Sequence, residues 1–230
     1  MITTSIQDQM AIQLDAESVE KTLSIVELIK SGGLAGQLII TILTVLLVVA
    51  LYIYFERLFT IKAASKVDPN FMSQIKDHVV NGKIEAAKAV CAQVDSPVSR
   101  LIDKGISRIG RPLADINSAI ENAGKLEVYS LEKNVSILAT ISGAAPMIGF
   151  LGTVIGMILS IFEIANSGGQ IDIKLLADGL YTAMTTTVAG LVVGIVAYIA
   201  FNHLVGRTNK VVYQMEANSV EFLDLLNEPI

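Results

Sequence analysis

The sequence predicts an all-α membrane protein with three transmembrane helices, long cytoplasmic extensions and a helical cytoplasmic loop. Three observations lead there. Of 230 residues, 52% are hydrophobic and only 17% charged, with a mean hydropathy of +0.58, against the roughly 25% charge of a soluble domain. Three runs, 34–55, 134–162 and 179–206, contain no Asp, Glu, Lys or Arg, and each reaches the ~20 residues a helix needs to cross a bilayer. Between the first two runs, apolar residues recur three or four apart, the period of a packed helix.

Taken in order, residues 1–33 carry Asp8, Asp15, Glu17, Glu20 and Glu27 and lack a basic stretch followed by a short apolar core, so no cleavable signal peptide is expected. Within them, 15–30 spaces Val19, Leu23, Val26 and Ile29 at helical intervals behind Asp15, a good N-cap. An amphipathic helix on the outer membrane surface is expected there, ended by Ser31-Gly32-Gly33. The first span, 34–55, is dense in Leu, Ile and Val and has no stripe of small residues, which predicts a lipid-facing, peripheral helix. Glu56 and Arg57 follow it at the membrane boundary.

Segment 56–133 should be cytoplasmic and helical, with short helices separated at Asp68-Pro69, Asn81-Gly82, Ser96-Pro97 and Arg111-Pro112. The second span, 134–162, and the third, 179–206, would each form a helix of roughly 40 Å at ~1.5 Å per residue, longer than the ~30 Å apolar core of a bilayer. They are expected to tilt or to project from the membrane. The short link 163–178, with Gly168-Gly169, reads as a hairpin turn, and 207–230 as a C-terminal helix.

Orientation follows from the basic residues. Two lie before the first span, twelve between the first and second, one in the 163–178 link and two after the third. By the positive-inside rule the N-terminus and the link face outward (periplasmic), and 56–133 and the C-terminus face the cytoplasm.

Several chemistries are disfavoured. A single cysteine, Cys91, allows no internal disulfide or multi-cysteine zinc site, and His78 and His203 lack the spacing of metal ligands. Neither metal nor cofactor is expected, and Cys91 reads as a small apolar helix residue. No basic run suggests nucleic acid. No phosphate-binding glycine loop, nucleophile elbow or pair of catalytic carboxylates occurs, so an enzyme is not expected.

The informative features lie in the second and third spans. One presents Gly149, Gly152, Thr153, Gly156 and Ser160 along a stripe, with Pro146 expected to bend the helix. The other presents Ala183, Thr186, Thr187, Gly190, Gly194 and Ala197. Small residues let helix backbones approach in lipid, where hydrophobic attraction between helices is weak. Two readings are open: tight packing with each threonine bonded back to its own helix, or the wall of a pore or partner groove. Thr182, Thr185, Thr186 and Thr187 fall within a turn and a half, which favours the second, since so many hydroxyls are poorly placed against lipid. No Asp, Glu, Lys, Arg or His lies between Asn134 and Phe162 or between Gly179 and Asn202. A proton crossing here would therefore use a titrating group from a partner, or water along the threonines.

The stretches AAPMIGFLGTVIGM (144–157) and GLYTAMTTTVAGL (179–191) resemble the second and third spans of the ExbB/TolQ/MotA proton-channel family, nearest to its ExbB and TolQ branches. The resemblance implies a bacterial inner-membrane pentamer whose second and third spans surround the helices of a single-span ExbD- or TolR-like partner. It implies further that proton flow to the partner's intramembrane aspartate energises a TonB- or TolA-like protein, with membrane lipid as the surroundings. By position, Thr153 and Thr187 match the family threonines facing that aspartate. Thr182 and Thr186 fall on the same pore-lining helix. Pro146, Gly149, Gly152, Gly156, Gly190 and Gly194 are read as the helix-packing residues that would shape such a pore. One departure stands out: Thr182 occupies a position where many ExbB and TolQ sequences have a glutamate.

Overall fold

The computed structural model describes residues 33–66, 68–166 and 173–227. The expected N-terminal amphipathic helix (15–30) and the Gly168-Gly169 turn lie outside the described residues. Among the described residues there are seven helices and no strand: α1 (Gly33–Ala64), α2 (Phe71–Val80), α3 (Ile84–Gln93), α4 (Pro97–Ile106), α5 (Leu113–Glu132), α6 (Val135–Asn166) and α7 (Ile173–Asn227). Helices α1, α6 and α7 are long and apolar enough to cross a membrane, with mean hydropathies of 2.8, 2.1 and 2.1 over their most apolar windows. Only 28%, 22% and 28% of those windows is buried within the chain. Exposed side chains such as Val48, Ile158, Phe162 and Ile199 therefore form apolar surfaces suited to lipid rather than water.

All three helices are longer than the uncharged runs that mark them. Helix α6 continues unbroken through Pro146, which has no N–H to offer the carbonyl of Ser142. Helix α7 is a single helix of 55 residues, so 207–227 continues the third apolar run without a break.

The chain divides into two compact units. The first contains the described start of α1 to Leu43, α6 from Pro146, and α7 to Leu191. It is held by contact between small residues, described below.

The second contains α1 from Thr44, helices α2 to α5, α6 to Ala145, and α7 from Val192. Here the helix ends follow local sequence chemistry. Asn81 and Gly82 close α2: Gly82 takes φ 71°, and the N–H groups of Gly82 and Lys83 bond to Val79 O at 3.0 Å and His78 O at 2.8 Å. These are the paired bonds of a Schellman terminus. Ser96 starts α4 with a capping box, its hydroxyl accepting from Ser99 N at 3.1 Å while Ser99 Oγ accepts from Ser96 N at 3.3 Å, and Pro97 follows at the first helical position.

Helix α4 buries Val98, Leu101, Ile102 and Ile106, the three-and-four spacing that the sequence shows. A methyl group placed on Gly105 would come 2.6 Å from Phe222 Cε1 and 2.9 Å from Ile120 Cδ1, so α4, α5 and α7 meet at a point where a larger residue would displace these side chains. Cys91 is buried; burial, and secondarily the negative charge of Asp103, push its thiol up to about 12. That is the behaviour of an inert packing residue. Arg100 forks onto Glu127 through Nε and Nη2, both at 2.7 Å, tying α4 to α5. The hydrogen bonds to Glu127, chief among several effects, push its already high pKa further up.

Candidate functional site

The first unit brings α6 and α7 into close antiparallel contact. Gly149 lies opposite Thr186, Thr187 and Gly190; Gly152 opposite Thr186; Gly156 opposite Ala183 and Gly179; and Ser160 opposite Gly179. A methyl group on Gly149 would sit 2.8 Å from Thr186 O, 3.0 Å from Gly190 Cα and 3.2 Å from Thr187 Cα. These are backbone atoms that cannot turn aside. On Gly152 it would meet Thr186 Cβ at 2.7 Å, and on Gly179 it would meet Ser160 Cβ at 2.8 Å. The residues that weaken an isolated helix are thus the ones that let two helices touch.

The hydroxyls along this seam fall into two groups. Ser160, Thr185 and Thr186 bond back to their own helices, to Gly156 O at 2.9 Å, Tyr181 O at 2.9 Å and Ala183 O at 2.8 Å. Thr186 is fully buried, its side chain filling the space that Gly152 leaves.

Thr153 and Thr187 reach across instead. Thr153 Oγ1 donates to Ala183 O at 3.1 Å, Thr187 Oγ1 donates to Gly149 O at 3.2 Å, and the two hydroxyls also contact each other. Two hydroxyl hydrogens therefore serve three contacts, so at any instant one of the three lacks its proton. Both residues are half-buried. Thr182 is five residues before Thr187 on α7, where its Cγ2 would lie 2.8 Å from a methyl on Gly36 of α1. Gly194 is buried and Pro146 half-buried; Gly194 belongs to the second unit.

Between Pro146 and Phe162 on α6, and between Gly179 and Leu191 on α7, there is no ionisable side chain other than the phenol of Tyr181. The seam can accept and donate hydrogen bonds but holds no fixed charge. Among the described residues no cluster of His, Cys, Asp or Glu could hold a metal ion.

Two polar links in the second unit were not readable from the sequence. Arg57 is 7% exposed, pairs with Glu56 Oε1 at 2.7 Å and donates to Ser130 O at 3.2 Å, joining α1 to the C-terminal end of α5, where unpaired carbonyls favour a cation. His203 contacts Tyr54 Oη through Nδ1 at 2.9 Å and accepts from Arg207 Nε through Nε2 at 2.9 Å. With Nε2 an acceptor, the neutral ring carries its proton on Nδ1 and donates to Tyr54. The i, i+4 spacing of His203 and Arg207 was a usable signal; their partner on α1 was not.

Residues 93–217, more than half of the chain, match the family described as the MotA/TolQ/ExbB proton channel family. An ExbB homolog of biopolymer transport from Methanothermobacter thermautotrophicus is 26% identical over 194 residues, covering 84% of this chain and 67% of its own. The biopolymer transport protein ExbB of Helicobacter pylori is 39% identical over 79 residues, 34% of this chain and 54% of its own. The Tol-Pal system protein TolQ of Pseudomonas aeruginosa is 24% identical over 214 residues, 88% of this chain and 92% of its own. The chain spans little more than half the length of several relatives it matches, 54% to 58%.

Proposed function

Because the chain belongs to the MotA/TolQ/ExbB proton channel family, we propose that it is the inner-membrane subunit of an ExbB–ExbD-type motor driven by the proton motive force. In this reading the N-terminus is periplasmic and the C-terminus cytoplasmic. Five copies place α6 and α7 around the helices of a single-span ExbD- or TolR-like partner, and the motor energises a TonB-like protein for outer-membrane transport.

The observation that carries the reading is the Thr153–Thr187 bridge. It is the pair of hydroxyls on the seam that spans the two helices, in a stretch with no carboxylate, ammonium, guanidinium or imidazole. Such a pair can hand hydrogen bonds to water or to a partner's carboxylate but cannot trap the proton. The titrating group then has to come from the partner, as expected for an intramembrane carrier. Thr182 lies on the same helix with its methyl toward Gly36 of α1, while Thr186 sets the spacing of the two helices from inside the seam. Each charge that crosses ~100 mV releases ~2.3 kcal/mol, so a few protons suffice for a conformational step.

The match across 88% of this chain and 92% of the Pseudomonas Tol-Pal protein favours, as a second reading, a TolQ-like role in envelope maintenance through a TolA-like protein. A non-conducting scaffold would use the same glycines for packing and leave the threonines idle.

The test is proton flux in vesicles containing the chain and its co-purified single-span partner. Thr153→Val and Thr187→Val should each reduce flux by about a hundredfold or more, the low end of the general range for loss of a proton-transfer group, with assembly preserved. Thr153→Ser, which keeps the hydroxyl, should retain most of the flux. Normal flux in both valine variants would remove the role given to this pair.

A further inference from the structure

The two threonines that reach across the α6–α7 seam are related by a local twofold. Thr153 stands four residues after Gly149 on α6, and Thr187 four residues after Ala183 on α7. Each hydroxyl meets the carbonyl four residues before the other threonine: Thr153 Oγ1 lies 3.1 Å from Ala183 O, and Thr187 Oγ1 lies 3.2 Å from Gly149 O. Taken alone, these four groups give neither hydroxyl a reason to behave differently from the other.

Thr186 breaks the equivalence. Its hydroxyl donates to Ala183 O at 2.8 Å, and its side chain is fully buried, so no water offers that hydrogen another acceptor. Ala183 O, inside α7, also receives the helical N–H of Thr187. Those two donors take up both lone pairs of the carbonyl before Thr153 arrives as a third. Gly149 O carries only two, the helical N–H of Thr153 and the hydroxyl of Thr187. The counterpart of Thr186 on α6 is Gly152, which brings no hydroxyl, and a side chain there would meet Thr186 Cβ at 2.7 Å.

We propose that Thr186 is a positioning residue that sets the direction of the hydrogen bond between Thr153 and Thr187. With Ala183 O already occupied, the Thr153 hydrogen turns to Thr187 Oγ1 and the Thr187 hydrogen to Gly149 O. Each of the three hydroxyl hydrogens then has its own acceptor, and the contact between Thr153 Oγ1 and Ala183 O is the one that lacks a proton. Thr187 is anchored to a backbone carbonyl, whereas Thr153 holds its hydrogen only on another hydroxyl. Thr153 is therefore the member of the pair that turns its hydrogen to an incoming carboxylate, and a donor to the ionised form favours that form. This last step rests on the proton route proposed above; the direction of the hydrogen bonds does not.

Two carbonyls can be observed singly, because Ala183-Met184 is the only Ala-Met pair in the chain and Gly149-Phe150 the only Gly-Phe pair. The experiment is solid-state NMR of the full chain in vesicles with its co-purified partner, carrying carbonyl-13C alanine with 15N methionine, or carbonyl-13C glycine with 15N phenylalanine. Thr187→Val should move the Gly149 carbonyl upfield, since it loses a donor, while Thr153→Val should leave the Ala183 carbonyl nearly in place. In a Thr186→Val background the Thr153 hydrogen falls back on Ala183 O, and adding Thr153→Val should then move the Ala183 carbonyl upfield. In the same vesicles, Thr186→Val should raise the pH of half-maximal proton flux by about half a unit, one membrane hydrogen bond expressed as a proton affinity. Thr186→Ser keeps the donor and should leave that pH at the parent value. An Ala183 shift in Thr153→Val as large as the Gly149 shift in Thr187→Val would overturn the hydrogen-bond direction. A pH profile unmoved by Thr186→Val, or moved equally by Thr186→Ser, would overturn the positioning role. Normal flux in Thr153→Val would refute the proton route instead, and the carbonyl shifts would still decide the direction.

Discussion

Gly149→Ala and Gly143→Ala are the same chemical change on the same helix, and the structure gives them opposite signs. At Gly143 no atom lies within 4 Å of an added methyl, so the substitution simply recovers the helix propensity that glycine lacks, about 1 kcal/mol. At Gly149 the methyl would meet Thr186 O at 2.8 Å and Gly190 Cα at 3.0 Å. Restoring ordinary contact near 3.5 Å means parting the helices by roughly 0.7 Å. Such overpacking costs about 1–3 kcal/mol. The same displacement stretches the bonds Thr153 Oγ1 to Ala183 O at 3.1 Å and Thr187 Oγ1 to Gly149 O at 3.2 Å, each worth about 0.6 kcal/mol in a membrane. After subtracting the propensity gain of about 1 kcal/mol, Gly149→Ala should destabilise by roughly 1–3 kcal/mol. The assay is reversible unfolding in mixed micelles followed by far-ultraviolet circular dichroism, comparing both variants with the parent. If Gly149→Ala is as stable as the parent, or if the two substitutions move stability in the same direction, the close seam between α6 and α7 is wrong.

Two further outcomes follow from the second unit. Because burial pushes the Cys91 thiol up to about 12, maleimide at pH 8 should label the folded chain far more slowly than the chain in denaturant, the thiolate being about a thousandfold scarcer than in a free cysteine. The folded chain holds this proton more tightly than the unfolded one, so the linked stability is present below about pH 9 and declines as pH rises toward 12; rapid labelling of the native chain would contradict the buried placement. Ser96→Ala removes the acceptor for Ser99 N at 3.1 Å and should cost about 1 kcal/mol, with Ser96→Thr recovering most of it; an unchanged melting temperature for the alanine variant would mean that α4 does not depend on its cap.

The sequence was most legible where one residue type has one physical job. Uncharged runs of sufficient length identify α1, α6 and α7, and Asn81-Gly82 and Ser96-Pro97 mark where α2 ends and α4 begins. The glycines at 149, 152 and 156 recur at helical intervals, and the structure sets them against Thr186, Ala183 and Gly190 as a contact stripe. Periodicity alone could not tell which threonines turn inward to their own helix and which reach across. Thr185 and Thr186 are adjacent to Thr187 and chemically identical to it, and only the register between α6 and α7 separates them. The same limit hid the Arg57–Ser130 and Tyr54–His203 links. Each joins residues more than 70 positions apart, and pairing over such separations is set by tertiary packing, which local pattern does not encode.

The three contacts shared by the Thr153 and Thr187 hydroxyls give the seam a property that neither residue has alone. In two of the pair's hydrogen arrangements the bond between the hydroxyls points one way or the other, and exchanging these two reverses a local dipole without moving a heavy atom. A negative charge approaching from outside would draw a hydrogen toward itself; a positive charge would turn an oxygen lone pair to face it. A rigid, uncharged stretch of helix can thereby answer a passing charge of either sign by rotating hydroxyls alone, while the glycine contacts around it stay fixed.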